Sequence, residues 1–200
     1  PEGSKLLTEL LSDISTNIDV LTTSKSAHDC FFSPHHVTSS VCQDYFLFIG
    51  RLCRSSKGMR MLDKSGIFQV LLNLVVSTNH DCYVKLVVSS LDYTTDAMPR
   101  VILGKVLTAS TVSSRLYATQ FLLVLLRAKL PDFQKWGVEL LVNQLYDQSK
   151  AVSLVAIAIL EEATEEKVLC PSLAVTEEKV LCPSLAVTEE KVLCPSLAVT

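Results

Sequence analysis

Four groups of residues have the types and spacing to do chemistry. His35 and His36 are adjacent, with His28, Asp29 and Cys30 close by, which is a collection of zinc-ligand types. A metal site needs about four ligands converging on one point, and neighbouring residues on a helix point about 100° apart. The two histidines therefore read as exposed first-turn residues, and no metal ligand is assigned. Ser33-Pro34 has the form of a proline-directed phosphorylation site. The same pair also explains a helix start, with Ser as N-cap and Pro at the first helical position, and that structural role is preferred. Arg51, Arg54, Lys57, Arg60 and Lys64 recur at steps of three and four, with Asp63 the only nearby acid. On a continuous helix they would form a basic stripe for phosphate or an acidic partner. Ser55-Ser56 and Gly58 are placed to interrupt it, so the plainer reading is a solvated helix junction. It is still the best candidate for polar contact. Trp136, beside Gly137 at an expected helix turn, reads as a core plug between repeats, and Cys42 and Cys53 read as small hydrophobes.

No catalytic constellation accompanies them. The six glycines, at 3, 50, 58, 66, 104 and 137, form neither a Walker loop nor a dinucleotide fingerprint. Kinase, α/β-hydrolase and zincin signatures are missing as well. The expectation is a non-enzyme with no catalytic residues, no cofactor and no small-molecule substrate, although a site assembled from distant residues would leave no motif.

Composition narrows the class. The chain of 200 residues is 48% hydrophobic and 20% charged, with a mean hydropathy of +0.35. A membrane span needs roughly 20 consecutive apolar residues, and the longest runs here, Phe121 to Leu126 and Leu154 to Leu160, are far shorter. The apolar excess belongs to helices packed between other helices. The net charge of -3 resides entirely in 164–200, with six Glu and three Lys, leaving 1–163 neutral at 15 basic and 15 acidic side chains. A neutral body does not suit a nucleic-acid binder. Seven cysteines without C-x-x-C spacing read as reduced thiols in the cytosol or nucleus, with a cytoplasmic setting preferred. The start at Pro1 suggests a fragment.

The elements that must position these residues follow from periodicity. Leu6, Leu7, Leu10, Leu11, Ile14, Ile18 and Leu21 predict a helix over about 5–22 with Ser4 as its cap. Val37, Val41, Tyr45, Phe48, Ile49 and Leu52 predict a helix over about 34–53. Further helices are expected at about 56–64, 67–77, 80–93, 97–109, 112–129, 133–146 and 149–163. The many β-branched residues of 67–93 make that stretch the weakest of these readings. Leu71, Leu74, Leu122, Leu126, Leu140 and Leu141 are expected to be buried. The block from Gly66 to Leu74 resembles that from Gly137 to Leu145, a Gly turn followed by an apolar helix, at a separation of 71 residues. This is the plan of an armadillo or HEAT-like array, an all-α solenoid of stacked repeats. From Thr164 to Val199, TEEKVLCPSLAV occurs three times unchanged. Structural repeats diverge, so 164–200 is expected to lie outside the packed core of 1–163, with helical pieces broken at each Cys-Pro.

Five segments carry a resemblance to a known family: FFSPHHVTSSVCQDYFLFIGRLCRSSKGM (31–59), SSLDY (89–93), RVILGKVLTA (100–109), RLYATQFLLVLLRA (115–128) and WGVELLVNQL (136–145). Over roughly 31–163 the chain resembles the middle region of the Rictor family. The resemblance implies a helical-repeat scaffold of the second TOR kinase complex, whose partners are the protein subunits of that complex. It also implies that catalysis toward AGC-family kinases belongs to the TOR kinase subunit. Two departures stand out: the 12-residue repeats replace the family's helices past Glu162, and Pro99 falls where the family has a helix-compatible residue. They leave open a diverged copy that no longer enters the complex. The alternative from a different class is an unrelated armadillo-like adaptor that binds extended peptides.

Overall fold

The computed structural model describes residues 2–23 and 30–173, with side chains as far as Glu165. Among the described residues there are ten helices and no strand. Residues up to Thr164 form one unit.

The helices are α1 Glu2–Thr23, α2 Pro34–Ser39, α3 Gln43–Cys53, α4 Ser56–Lys64, α5 Ile67–Ser77, α6 Asp81–Ser90, α7 Met98–Leu107, α8 Val112–Arg127, α9 Phe133–Gln144 and α10 Lys150–Leu173. From α5 onward they form antiparallel pairs, α5 with α6 and α7 with α8, followed by α9 and α10. In one layer α1 packs on α5 and α5 on α7; in the other α3 packs on α6 and α6 on α8. Two polar contacts extend the layers: Arg100 of α7 covers the Trp136 ring of α9, and Arg127 of α8 pairs with Glu162 of α10. One hydrophobic core runs through the unit from Leu11 on α1 to Ala163 on α10. This is a two-layer α-solenoid, as the periodicity implies. The β-branched stretch 67–93 is helical because burial of Ile67, Leu71, Leu74, Val75, Val84, Val87 and Val88 outweighs a weak local preference.

Several local expectations need correcting. The helix expected over 34–53 is two helices, separated by a turn at Ser40–Cys42. The hydroxyls of Thr38, Ser39 and Ser40 each bond back to a carbonyl four residues earlier, at 3.0, 2.7 and 2.6 Å. Such local bonds compete with the helix ladder, and Ser40 Oγ then accepts the Cys42 N–H at 3.3 Å. Val41, counted in the apolar series, is left 73% exposed. Ser4 lies inside the first turn of α1 and caps nothing. Leu6 and Leu10 face outward, because α1 packs through Leu11, Ile14 and Ile18, with Leu7 and Leu21 at the edges of that stripe. Leu140 is half-buried, whereas the other five leucines singled out are buried. The inward stripe of α9 is Phe133, Gly137, Leu141 and Gln144, and Leu140 lies at its edge.

The two similar glycine blocks are not structurally equivalent. Gly66 precedes α5 at φ 72°, a left-handed position that favours glycine. Gly137 lies within α9, where an added Cβ would meet the Phe133 ring at 2.3 Å. The left-handed residue before α9 is Asp132, at φ 55°. Pro99 occupies the first turn of α7 and is buried, a place where its missing N–H breaks no helical bond. Helix α10 continues through Cys170-Pro171 to Leu173 instead of breaking there. So close to a helix end, a proline forfeits at most one ladder bond. The two remaining Cys-Pro steps, at 183 and 195, lie outside the described residues.

Candidate interaction surface

The five cations of the candidate stripe are divided between α3, with its C-cap Arg54, and α4. α3 ends at Cys53, and Ser55 caps α4 by accepting the Gly58 N–H at 3.0 Å. Gly58 is buried at the crossing, where a Cβ would meet the Leu52 carbonyl oxygen at 2.1 Å. Arg54 turns away toward the loop before α7 and donates Nε to Asp92 at 3.1 Å. That carboxylate also accepts from the Thr94 N–H and hydroxyl. Arg51, Lys57, Arg60 and Lys64 are exposed. The structure therefore breaks the stripe where Ser55 suggests, but keeps Lys57, Arg60 and Lys64 together on α4.

The other singled-out residues take structural positions. Ser33 is 1% exposed, and its hydroxyl accepts the His36 N–H at 3.3 Å; the side chain serves as the cap of α2. His35 and His36 are exposed, with ring centroids 6.1 Å apart. His36 Nδ1 lies 3.2 Å from the Cys30 carbonyl oxygen, and His35 Nδ1 3.3 Å from Ser39 Oγ. Among the described residues no three His, Cys, Asp or Glu side chains converge as metal ligands would; His28 and Asp29 lie outside them. Cys42 and Cys53 are buried, and burial pushes the Cys53 thiol up to about 11. Trp136 is half-buried, not a fully enclosed plug. It lies edge-on to Phe133 at 5.1 Å, and the Arg100 guanidinium covers it at 4.3 Å. Arg100 is itself held by the carbonyls of Tyr93 and Thr94, at 3.0 and 3.1 Å.

One polar constellation has no counterpart in the sequence-level reading. Arg115, in the first turn of α8, donates Nε and Nη2 to the two carboxylate oxygens of Asp147, at 2.6 and 3.1 Å. Its Nη1 donates to the carbonyls of Ala109 and Ser110, at 2.8 and 3.1 Å. Asp147 lies between α9 and α10 and also accepts the Ser149 N–H at 2.7 Å. The two side chains are only 13% and 7% exposed. The Arg115 hydrogen bonds hold the Asp147 carboxyl below the usual carboxylate range, and the same bonds raise the guanidinium. The available signal was an arginine opening an apolar helix, and an Asp two residues before a Ser. Two tyrosines are likewise buried with their hydroxyls engaged: Tyr83 donates to the Phe32 carbonyl at 2.6 Å and Tyr93 to that of Val88 at 2.7 Å. Burial pushes both phenols well above their ordinary range.

Stacked helix pairs on one core, joined by ion pairs between successive pairs, define this chain as a segment of a helical-repeat protein. The chain belongs to the Rictor family, the rapamycin-insensitive companions of mTOR. The family model for the middle domain of the rapamycin-insensitive companion of mTOR matches residues 23–126, and the model for its RasGEF_N domain matches 132–192. The second match extends past Glu162 into the repeated segment. The rapamycin-insensitive companion of mTOR from Mus musculus is 53% identical over 129 residues, covering 64% of this chain and 8% of that protein. Its Homo sapiens counterpart is 45% identical over 166 residues, covering 83% and 10%. The target of rapamycin complex 2 subunit ste20 of Schizosaccharomyces pombe is 27% identical over 187 residues, covering 87% and 14%. The chain thus spans between 8% and 14% of the length of these relatives.

Proposed function

We propose that this chain acts as a segment of a non-catalytic scaffold subunit of the second TOR kinase complex. In this reading it holds protein partners in place while the TOR kinase subunit acts on AGC-family kinases in the cytoplasm. The observation that carries the reading is the family match over 23–126, joined to a relative whose name makes it a subunit of that complex. The architecture supports it, because stacked helix pairs build a long surface and their polar side chains are used in contacts between pairs. Among the described residues no helix is long and apolar enough to cross a membrane. Residues 1–163 are proposed as the folded repeat body and 164–200 as a segment outside its core. The test is co-purification of the whole chain with the TOR kinase subunit and its companions. Recovery of those subunits is expected. A stable complex with an extended cargo-type peptide, and none with TOR components, would replace this reading with the adaptor. ATP turnover that survives purification and is lost on changing one residue here would end the non-catalytic part.

A further inference from the structure

We propose that α4 is a docking site for an acidic peptide segment of a partner protein, built from Lys57, Arg60 and Lys64 with Arg51 on the last turn of α3. Lys57, Arg60 and Lys64 are separated by three and four residues, so they fall within an arc of about 60° and span about 10 Å along the helix. All four cations are exposed, and among the described residues none makes an ion pair. One acid, the exposed Asp63, lies on α4 itself, and little other neighbouring charge opposes them. α4 packs on α3 and α5; α5 carries no charged residue, and α3 contributes one acid, Asp44, at its far end. From Gln43 to Ser77 the sequence has five basic and two acidic side chains, within a body of 1–163 that is neutral as a whole.

The stripe is held rigidly beneath. Leu62 is fully buried, Gly58 is pressed against the Leu52 carbonyl, and Ser55 fixes the start of the helix. A partner therefore meets a backbone already in place, which lowers the ordering cost of binding. Lys57 stands in the first turn of α4, which contains no acid. A cation there opposes the helix dipole, so the fold gains nothing from it, whereas an anion gains from both. The chemistry of the face selects the class of partner. Met59 and Met61 are half-buried, so α4 exposes neither an aromatic platform for bases nor an apolar wedge for a bilayer. About 10 Å matches three residues of an extended strand, which fits acids at alternate positions or a single phosphorylated side chain.

This inference rests on the reading of the chain as a protein-contact module, and the experiment separates the two. Binding of a fluorescein-labelled alternating Glu-Ser peptide to the whole chain is followed by anisotropy as salt rises from about 50 to about 300 mM. Affinity should fall with salt, and K57E/R60E/K64E should weaken it roughly tenfold or more. The neutral K57Q/K64Q variant should lie between, and K105E/K150E should match wild type. All variants should unfold at the same temperature, since every changed side chain is exposed. Equal binding by the reversed variant, an equal loss in K105E/K150E, or tighter binding of an oligothymidine or an anionic phosphatidylserine vesicle than of the peptide would overturn the proposal. Co-purification with TOR subunits without peptide binding would leave the scaffold reading standing and remove this one. Peptide binding at α4 without co-purification would do the reverse.

Discussion

At Arg115 a single guanidinium ties three pieces of chain together: the first turn of α8, the loop before it, and the loop between α9 and α10. Removing one partner of a buried pair strands the other charge, which costs about 3–5 kcal/mol. Arg115→Ala should therefore destabilise the chain by about 3 kcal/mol or more in urea unfolding. Arg115→Lys should recover only part, because an ammonium cannot make the paired contact. The acid limb follows from the depressed Asp147 carboxyl. Its contribution is complete above the ordinary carboxylate value of about 4 and is lost as pH falls through the lower folded value. The stability gap between wild type and Asp147→Asn should accordingly close on acidification from about pH 5 to about pH 2. Two glycines give an opposed pair of outcomes. At Gly50 a Cβ would meet the Ser90 carbonyl oxygen at 1.7 Å, whereas at Gly104 it meets nothing within 4 Å. Gly50→Ala should open the contact between α3 and α6 and lower the thermal midpoint sharply. Gly104→Ala, inside α7, should stabilise by about 0.5–1 kcal/mol.

Helices were readable wherever the apolar period and the capping chemistry agreed. Ser33 before Pro34, Ser55 before α4 and the left-handed Gly66 before α5 marked three starts correctly. The break at Ser40–Cys42 escaped periodicity because Val41 continues the apolar series, while the cause lies in three hydroxyls bonding backwards. Gly137 misled for a related reason: a glycine that accommodates a ring and one that accommodates a turn look alike in sequence. Three consequences belong to these elements. Ser33→Ala should cost about 1 kcal/mol through loss of the α2 cap. A proline-directed kinase should leave folded chain unmodified at Ser33, as phosphopeptide mapping would reveal. Lys129 closes α8 at φ 51°, a conformation costly for a residue with a Cβ. Lys129→Gly should raise stability by about 0.5–1 kcal/mol, measured by thermal unfolding.

Across the described residues, three polar contacts join residues about one repeat apart. Ser113 and Asp81 are 32 positions apart, Arg115 and Asp147 also 32, and Arg127 and Glu162 35. Local patterning reaches only a few turns along one helix, so the array was legible while its cross-ties were not, and neither was the pairing of Arg54 with Asp92. On α10, Leu154 and Ile157 are 64% and 43% exposed. Leu154→Lys with Ile157→Lys should therefore leave the unfolding free energy within about 0.5 kcal/mol of wild type. The Arg115–Asp147 clasp has a mechanical side as well. A spring of stacked helix pairs bends where successive pairs slide past one another, and this clasp pins the α7–α8 pair to the loop that opens α10. Pulled from its two ends, the array should give way at the clasped joint late, after joints that no such buried ion pair ties. Single-molecule extension should record that order, and the late step should come early once Arg115 is gone.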